Sequence, residues 1–381
     1  MITTATTTCN GAALEALPHS IRVSGVPFNP SSQSQISSCL FSSLLIKNIA
    51  SSTLGPLSLS LQRNETFPAP RFIAGHPDGP NTTDPPGWLI DPTKPHSNTL
   101  VVELEEKLGA GRTGIAYSAR IVDGGSSIPG SPRPTHVCIK FAKPYHCRSL
   151  AREAWFYDQL PEEQNFQGII TPRYYGFFTS SLSDTSTIVP WEEGEVDMSL
   201  TAPEDYDEEG DPHPDFLPED RLESTGVVVN DAYTSSSWYD WSADPKNPLV
   251  SVLVLEKLGG VFKWGKGNSS QAAVRDMSDL EEIMTDLTAA YILHADVRRL
   301  NFLKAPEDSS SICPRHGHAH RHRVIDFDRS FKTDENVMQW DTWWREMNVA
   351  TMGYPQFGVT LSSRGIFDRI VYRRVDLFCS T

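Results

Sequence analysis

The chain has 381 residues and a mass of 42.4 kDa, enough for one large domain or two ordinary ones with a sizeable core. Its formal net charge of −15 argues against a general nucleic-acid or anionic-membrane binder. That charge is local: 14 acidic residues and no Lys or Arg lie between Ser181 and Asp220, leaving 34 acids against 33 bases elsewhere.

Residues 1–97 are rich in Ser, Thr and Pro and read as a loosely ordered extension. Apolar pieces between Ile36 and Leu61 are short candidate strands, and Pro77 to Pro95 is a turn-like linker. Met1 to Asn10 has neither a basic stretch nor an apolar one, so no signal peptide is expected. The next unit, 98–180, opens with Leu100 to Glu106, where apolar and polar residues alternate as in a strand. Ile115 to Val122 and His136 to Ala142 are further strands, separated by a Gly/Ser/Pro-rich loop. Ser149 to Leu160 has helical spacing, and Arg173 to Thr179 reads as a strand.

Residues 181–247 form an acidic insert punctuated by proline, including Glu204-Asp205-Tyr206-Asp207-Glu208-Glu209. Such a composition predicts a solvated, flexible loop, with a docking arm for a basic partner as the alternative. Residues 248–381 begin with the apolar strand Leu249 to Leu258. A helix over Ser278 to Leu293 follows, with Ser278 and Glu281 in a capping-box pattern and Leu280, Ile283, Met284, Leu287 and Tyr291 on one face. No run of about 18 apolar residues exists, so no membrane span is expected. Six scattered cysteines without a C-x-x-C pair read as reduced thiols of an intracellular protein, cytoplasmic or nuclear.

Four motifs carry chemistry. Gly109, Gly111 and Gly114 have G-x-G-x-x-G spacing between two strands, which suits a hairpin whose backbone N–H groups cover phosphate oxygens. Lys140 ends the strand Val137-Cys138-Ile139-Lys140 and offers a fixed cation, with Glu153 on the next helix as its orienting partner. His294-Ala295-Asp296-Val297-Arg298-Arg299-Leu300-Asn301 supplies a carboxylate to orient a hydroxyl proton, an amide to ligate a hard cation and an arginine to neutralise a phosphoryl group. In Val324-Ile325-Asp326-Phe327-Asp328, Asp326 is placed to hold Mg²⁺ against nucleotide phosphates.

In this order the motifs resemble the protein kinase superfamily, over roughly Val101 to Phe331. The resemblance implies an α+β, two-lobed kinase-like fold with a short C-terminal lobe, and an ATP- and Mg²⁺-dependent phosphotransferase acting on a protein Ser/Thr or small-molecule hydroxyl. By it, Gly109, Gly111 and Gly114 cover the nucleotide and Lys140 pairs with Glu153. Leu255 is the gatekeeper, and Glu256, Lys257 and Leu258 form the hinge that meets adenine. Asp296 is the catalytic base, Arg298 stands where a lysine usually does, and Asn301 and Asp326 are the metal ligands. Asp-Phe-Asp in place of Asp-Phe-Gly is more similar to aminoglycoside and choline kinases and to divergent fungal kinase-like domains. A nucleotide-binding pseudokinase that serves as an interaction module is the alternative.

Two features stand outside the resemblance. His316, His318, His320 and His322 alternate near Cys313, in a stretch read as a basic loop between strands; Zn²⁺ or Ni²⁺ ligation is the alternative. Trp340, Trp343 and Trp344 near Met347 read as a helix face that covers the truncated lobe.

Overall fold

A computed structural model describes residues 41–52, 55–72, 98–123, 134–160, 166–182, 188–192, 217, 227–229, 231–244, 247–262, 271–290, 292–294, 296–307, 309 and 311–332. The Pro77–Pro95 linker, the Glu204–Glu209 run and the tryptophans at 340, 343 and 344 lie outside these residues.

In chain order the strands and helices are β1 (Phe41–Ser52), β2 (Gly55–Arg63), β3 (Arg71–Phe72), β4 (Asn98–Ala110), β5 (Gly114–Asp123), β6 (His136–Ala142), α1 (Cys147–Gln159), β7 (Tyr174–Ser181), α2 (Val189–Glu192), β8 (Val227–Val228), α3 (Asp231–Thr234), β9 (Leu249–Glu256), α4 (Gln271–Ala289), β10 (Ile292–Leu293), β11 (Phe302–Lys304), β12 (His322–Val324) and β13 (Phe331–Lys332). Seven strands close into a barrel in the order β1-β2-β7-β9-β6-β5-β4. Every neighbour pairs antiparallel except β1 and β4, whose parallel pairing closes the ring.

The boundary expected at 97/98 therefore runs through the barrel. Phe41, Leu44, Ile46 and Ile49 of β1 are all buried although Ser residues surround them. Asn48, at φ 57°, sits at an irregularity between Ile46 and Ala50 and tolerates the left-handed backbone that it requires. The segment after β2 continues across α1: Phe67 N–H donates to the Ala151 carbonyl at 3.1 Å, and Arg152 Nε donates to the Phe67 carbonyl at 3.3 Å.

The core has two parts, and β9 divides them. Val250, Val252 and Val254 pack with the barrel residues Val102, Ile115, Ile139 and Phe178, while Leu253 and Leu255 pack with α1. A strand buried on both faces needs the near-continuous apolar run that β9 has. Helix α1 is buried along its length, with Asp158 half-buried.

The insert is in part ordered, contrary to the composition-based expectation. Trp191 and Trp238 are buried, Leu217 is buried, and β8 pairs with β3. Trp238 Nε1 donates to the Glu65 carbonyl at 2.9 Å and its ring meets Phe177 edge-on. Aromatic area supplies locally what the acidic composition lacks. Helix α4 begins at Gln271, so Ser278 lies inside it and caps nothing. The expected apolar face is otherwise present, with Leu280, Ile283, Met284 and Leu287 buried; Tyr291 lies outside the described residues. No helix among the described residues is long and apolar enough to cross a membrane. Cys138, Cys147 and Cys313 are free thiols.

Candidate functional site

Strand alternation places the central cation. On β6, Val137, Ile139 and Phe141 point into the barrel, so Cys138 and Lys140 face α1. Lys140 Nζ donates to Glu153 Oε2 at 2.6 Å and to Asp326 Oδ1 at 2.8 Å. One ammonium thus joins a strand, a helix and the loop after β12. Burial would lower the Lys140 pKa, but Asp326 and Glu153 outweigh it and the group stays charged. Burial pushes Glu153 up to about 7 against the pull of Lys140. Asp326 is held below the carboxylate range because Lys140 outweighs its burial.

Asp326 has φ 73°, a left-handed backbone that non-glycine residues adopt at a cost of about 1–3 kcal/mol. Two contacts hold it there. Ile325 N–H donates to the Asn301 carbonyl at 3.0 Å. Phe327, fully buried, stacks on Phe156 and meets Tyr157 edge-on and His294 at 4.9 Å between ring centres.

The loop of His294 to Asn301 is tied to the same place. His294 Nε2 bonds the Ile325 carbonyl at 2.9 Å, and burial lowers its pKa, so the neutral imidazole donates there. Asn301 Nδ2 donates to the Asp296 carbonyl at 2.9 Å, which turns Oδ1 into the remaining acceptor. The β11–β12 pairing brings Asn301 and Asp326 to adjacent ends of one hairpin. Arg298 does not stand free to meet a phosphoryl group, as the sequence led us to expect. Its Nε and Nη2 grip the two oxygens of Asp296 at 2.5 and 2.7 Å.

The glycine loop is the β4–β5 hairpin tip, where Gly111 N–H donates to the Gly114 carbonyl at 2.8 Å. A Cβ at Gly114 would stand 2.6 Å from the Phe141 carbonyl oxygen, so β6 itself demands glycine. A Cβ at Gly109 would meet nothing within 4 Å, and at Gly111 only the Gly114 carbonyl at 3.9 Å. Arg112 of this tip reaches Asp328 at 3.3 Å. Burial beside Asp326 pushes Asp328 up to about 6.

Leu255 is buried opposite Cys138, Glu256 ends β9, and Lys257 and Leu258 follow it. The Glu256 carboxylate is taken by Arg173, through its backbone N–H at 3.2 Å and Nη1 at 3.3 Å. Gly259 N–H and the Gly260 carbonyl pair with Lys304, so the expected hinge leads directly onto β11.

All the predicted site residues are therefore described, and Lys140, Glu153 and Asp326 form one cluster. One partner near this cluster escaped sequence reasoning: Arg112, hidden inside the glycine motif, which reaches Asp328.

No known protein family matches the chain, and no curated protein does. Among solved structures it is weakly similar to the crystal structure of the BubR1 kinase domain, with a TM-score of 0.31 and 15% identity. That similarity covers 61% of this chain and 47% of the other, so the chain spans about half the length of the neighbour.

Proposed function

We propose that the chain is an ATP- and Mg²⁺-dependent phosphotransferase of two-lobed, kinase-like design, which moves the γ-phosphate to a hydroxyl acceptor of a protein Ser/Thr type. The observation that carries this reading is Lys140 bridging Glu153 and a backbone-strained Asp326. Strain at a half-buried, charge-paired residue that still meets solvent supports a position held for chemistry rather than for stability.

The donor set fits a hard divalent cation. Lys140 engages only Oδ1 of Asp326, and Asn301 has its amide nitrogen occupied, so both residues retain an oxygen donor. Mg²⁺ there would bridge and neutralise phosphate oxygens. Lys140 would orient the phosphates, the β4–β5 tip would cover them with backbone N–H groups, and the open space over Gly109 and Gly111 admits that approach. Asp296 would accept the hydroxyl proton once Arg298 releases it.

The test is thermal melting of the intact chain with ATP, with and without Mg²⁺, beside Asp326→Asn. A ligand at 100 times its Kd stabilises by about 2.7 kcal/mol, a visible shift. A Mg²⁺-dependent shift that the variant loses is expected, and no shift in the intact chain overturns the reading.

One observation favours a second reading, a nucleotide-binding module without transfer. Both oxygens of the proposed base are capped by Arg298. Phosphate transfer by the intact chain that Asp296→Ala abolishes, with nucleotide binding retained, decides for the enzyme; binding with no transfer decides for the module.

A further inference from the structure

The loop between β11 and β12 folds its histidines against α4. Gly317, at φ 73°, makes the turn, in which Gly317 N–H donates to the Cys313 carbonyl and Cys313 N–H to the His318 carbonyl, each at 2.8 Å. The turn gathers Cys313, His316 and His320 over Asp286 of α4. Cys313, His320 and Asp286 are buried, the last at 1% exposure.

Five of the six separations among the four donor atoms are close to the edges of a tetrahedron around a metal ion, and all six are within 4.8 Å. Cys313 Sγ lies 3.3 Å from Asp286 Oδ2 and 3.4 Å from His316 Nδ1. His316 Nδ1 lies 3.3 Å from His320 Nε2 and 3.5 Å from Asp286 Oδ2, and His320 Nε2 lies 3.7 Å from Asp286 Oδ2. Tetrahedral Zn²⁺ holds sulfur at about 2.3 Å and nitrogen or oxygen at about 2.0–2.2 Å, which sets ligand-to-ligand distances of about 3.3–3.6 Å.

The outer contacts orient the ligands. His320 Nδ1 is 2.8 Å from Asp279 Oδ1, the carboxylate–histidine arrangement that fixes the tautomer and presents Nε2 to a metal. The other Asp279 oxygen takes His322 Nδ1 at 2.8 Å, and Arg315 Nε lies 3.1 Å from Asp286 Oδ1. A second grouping of Asp279, Glu282, His318 and His320 is geometrically close as well. It would use the His320 nitrogen that already bonds Asp279, and it has no thiolate.

We propose that Asp286, Cys313, His316 and His320 form a structural Zn²⁺ site that clips the β11–β12 loop to α4. One thiolate and one carboxylate balance the ion's charge inside the cluster, and metal entry releases the Cys313 thiol proton together with any proton on the ligating nitrogens of His316 and His320. Four protein donors leave no open position, so the site holds structure and performs no hydrolysis. It is independent of the phosphotransferase reading.

The test is metal analysis of the untagged full chain grown with zinc. One zinc per chain is expected, lost in Cys313→Ser and Asp286→Asn and retained in His318→Ala. Asp279→Asn should weaken zinc affinity about 10–100-fold, as loss of a ligand's outer partner does. Because loss of a buried ligand can unfold the chain, Co²⁺ is also added to the metal-stripped intact chain. Tetrahedral d–d bands with a thiolate-to-cobalt charge-transfer band, and a Tm restored by the metal, are expected. A folded intact chain that carries far less than one zinc and gives a cobalt spectrum without the thiolate band overturns the proposal. So does zinc that follows His318 rather than Cys313.

Discussion

Gly114 and Gly109 share a motif but answer to different forces. Gly114→Ala pushes a methyl to within 2.6 Å of the Phe141 carbonyl, and overpacking of this kind costs about 1–3 kcal/mol. Gly109→Ala meets open space, so urea melts should show destabilisation in the first variant and almost none in the second. Asp158 gives a pH signature. Burial pushes its pKa from 3.8 up to about 6, against Arg63 and the Thr66 hydroxyl at 3.3 Å. The native state therefore holds the proton more tightly than the unfolded chain. Its contribution to stability is present below about pH 4 and lost as pH rises through about 6. Melting across that window should show the wild type falling relative to Asp158→Asn; parallel curves would mean the native state does not hold this proton more tightly than the unfolded chain. Lys140, Glu153 and Asp326 were legible from residue type and order, because a lysine within an apolar strand needs an opposite charge beside it. The Arg298 grip on Asp296 was not, since two residues of separation do not reveal which way a guanidinium folds.

At the scale of elements, alternation and helical spacing served where packing is local. Strands β4 to β6, β9 and the apolar face of α4 follow from their own side chains. What failed was inference from composition. Trp238 stands in a segment read as a solvated loop, yet it is 2% exposed and bonds the Glu65 carbonyl. Trp238→Ala should cost about 3–5 kcal/mol, the range for buried aromatic truncation, where a solvated loop residue would cost less than about 0.5. Calorimetry distinguishes these outcomes directly. The capping-box reading of Ser278 failed for a related reason: an S-x-x-E pattern occurs inside helices too, and the start at Gln271 shows that nothing local stops the helix from extending backwards.

For the whole molecule, the decisive element lay in the Ser-rich part that composition set aside. Strand β1 closes the barrel by parallel pairing with a strand some fifty residues on, and pairing between distant segments leaves no local trace. A fragment starting at residue 98 would lose β1 and β2 and bare the edges of β4 and β7. Exposed edges template association, so that fragment should aggregate on expression while the full chain elutes as a discrete species. A monodisperse, cooperatively melting fragment would refute this role for the first two strands.

The encasement of α1 has a mechanical meaning. Glu153 rides on a helix with the barrel on one side and Phe67, Tyr233 and Trp238 on another, stapled through Ala151 and Arg152 to the segment after β2. Such a helix cannot serve as a lever: rocking it outward would tear aromatic rings from the core and strand buried charges without partners. The Lys140–Glu153 half of the site is thus set at folding and stays set. The adjustable part is the exposed guanidinium of Arg298, which can swing away when another group takes its place on the buried Asp296 carboxylate.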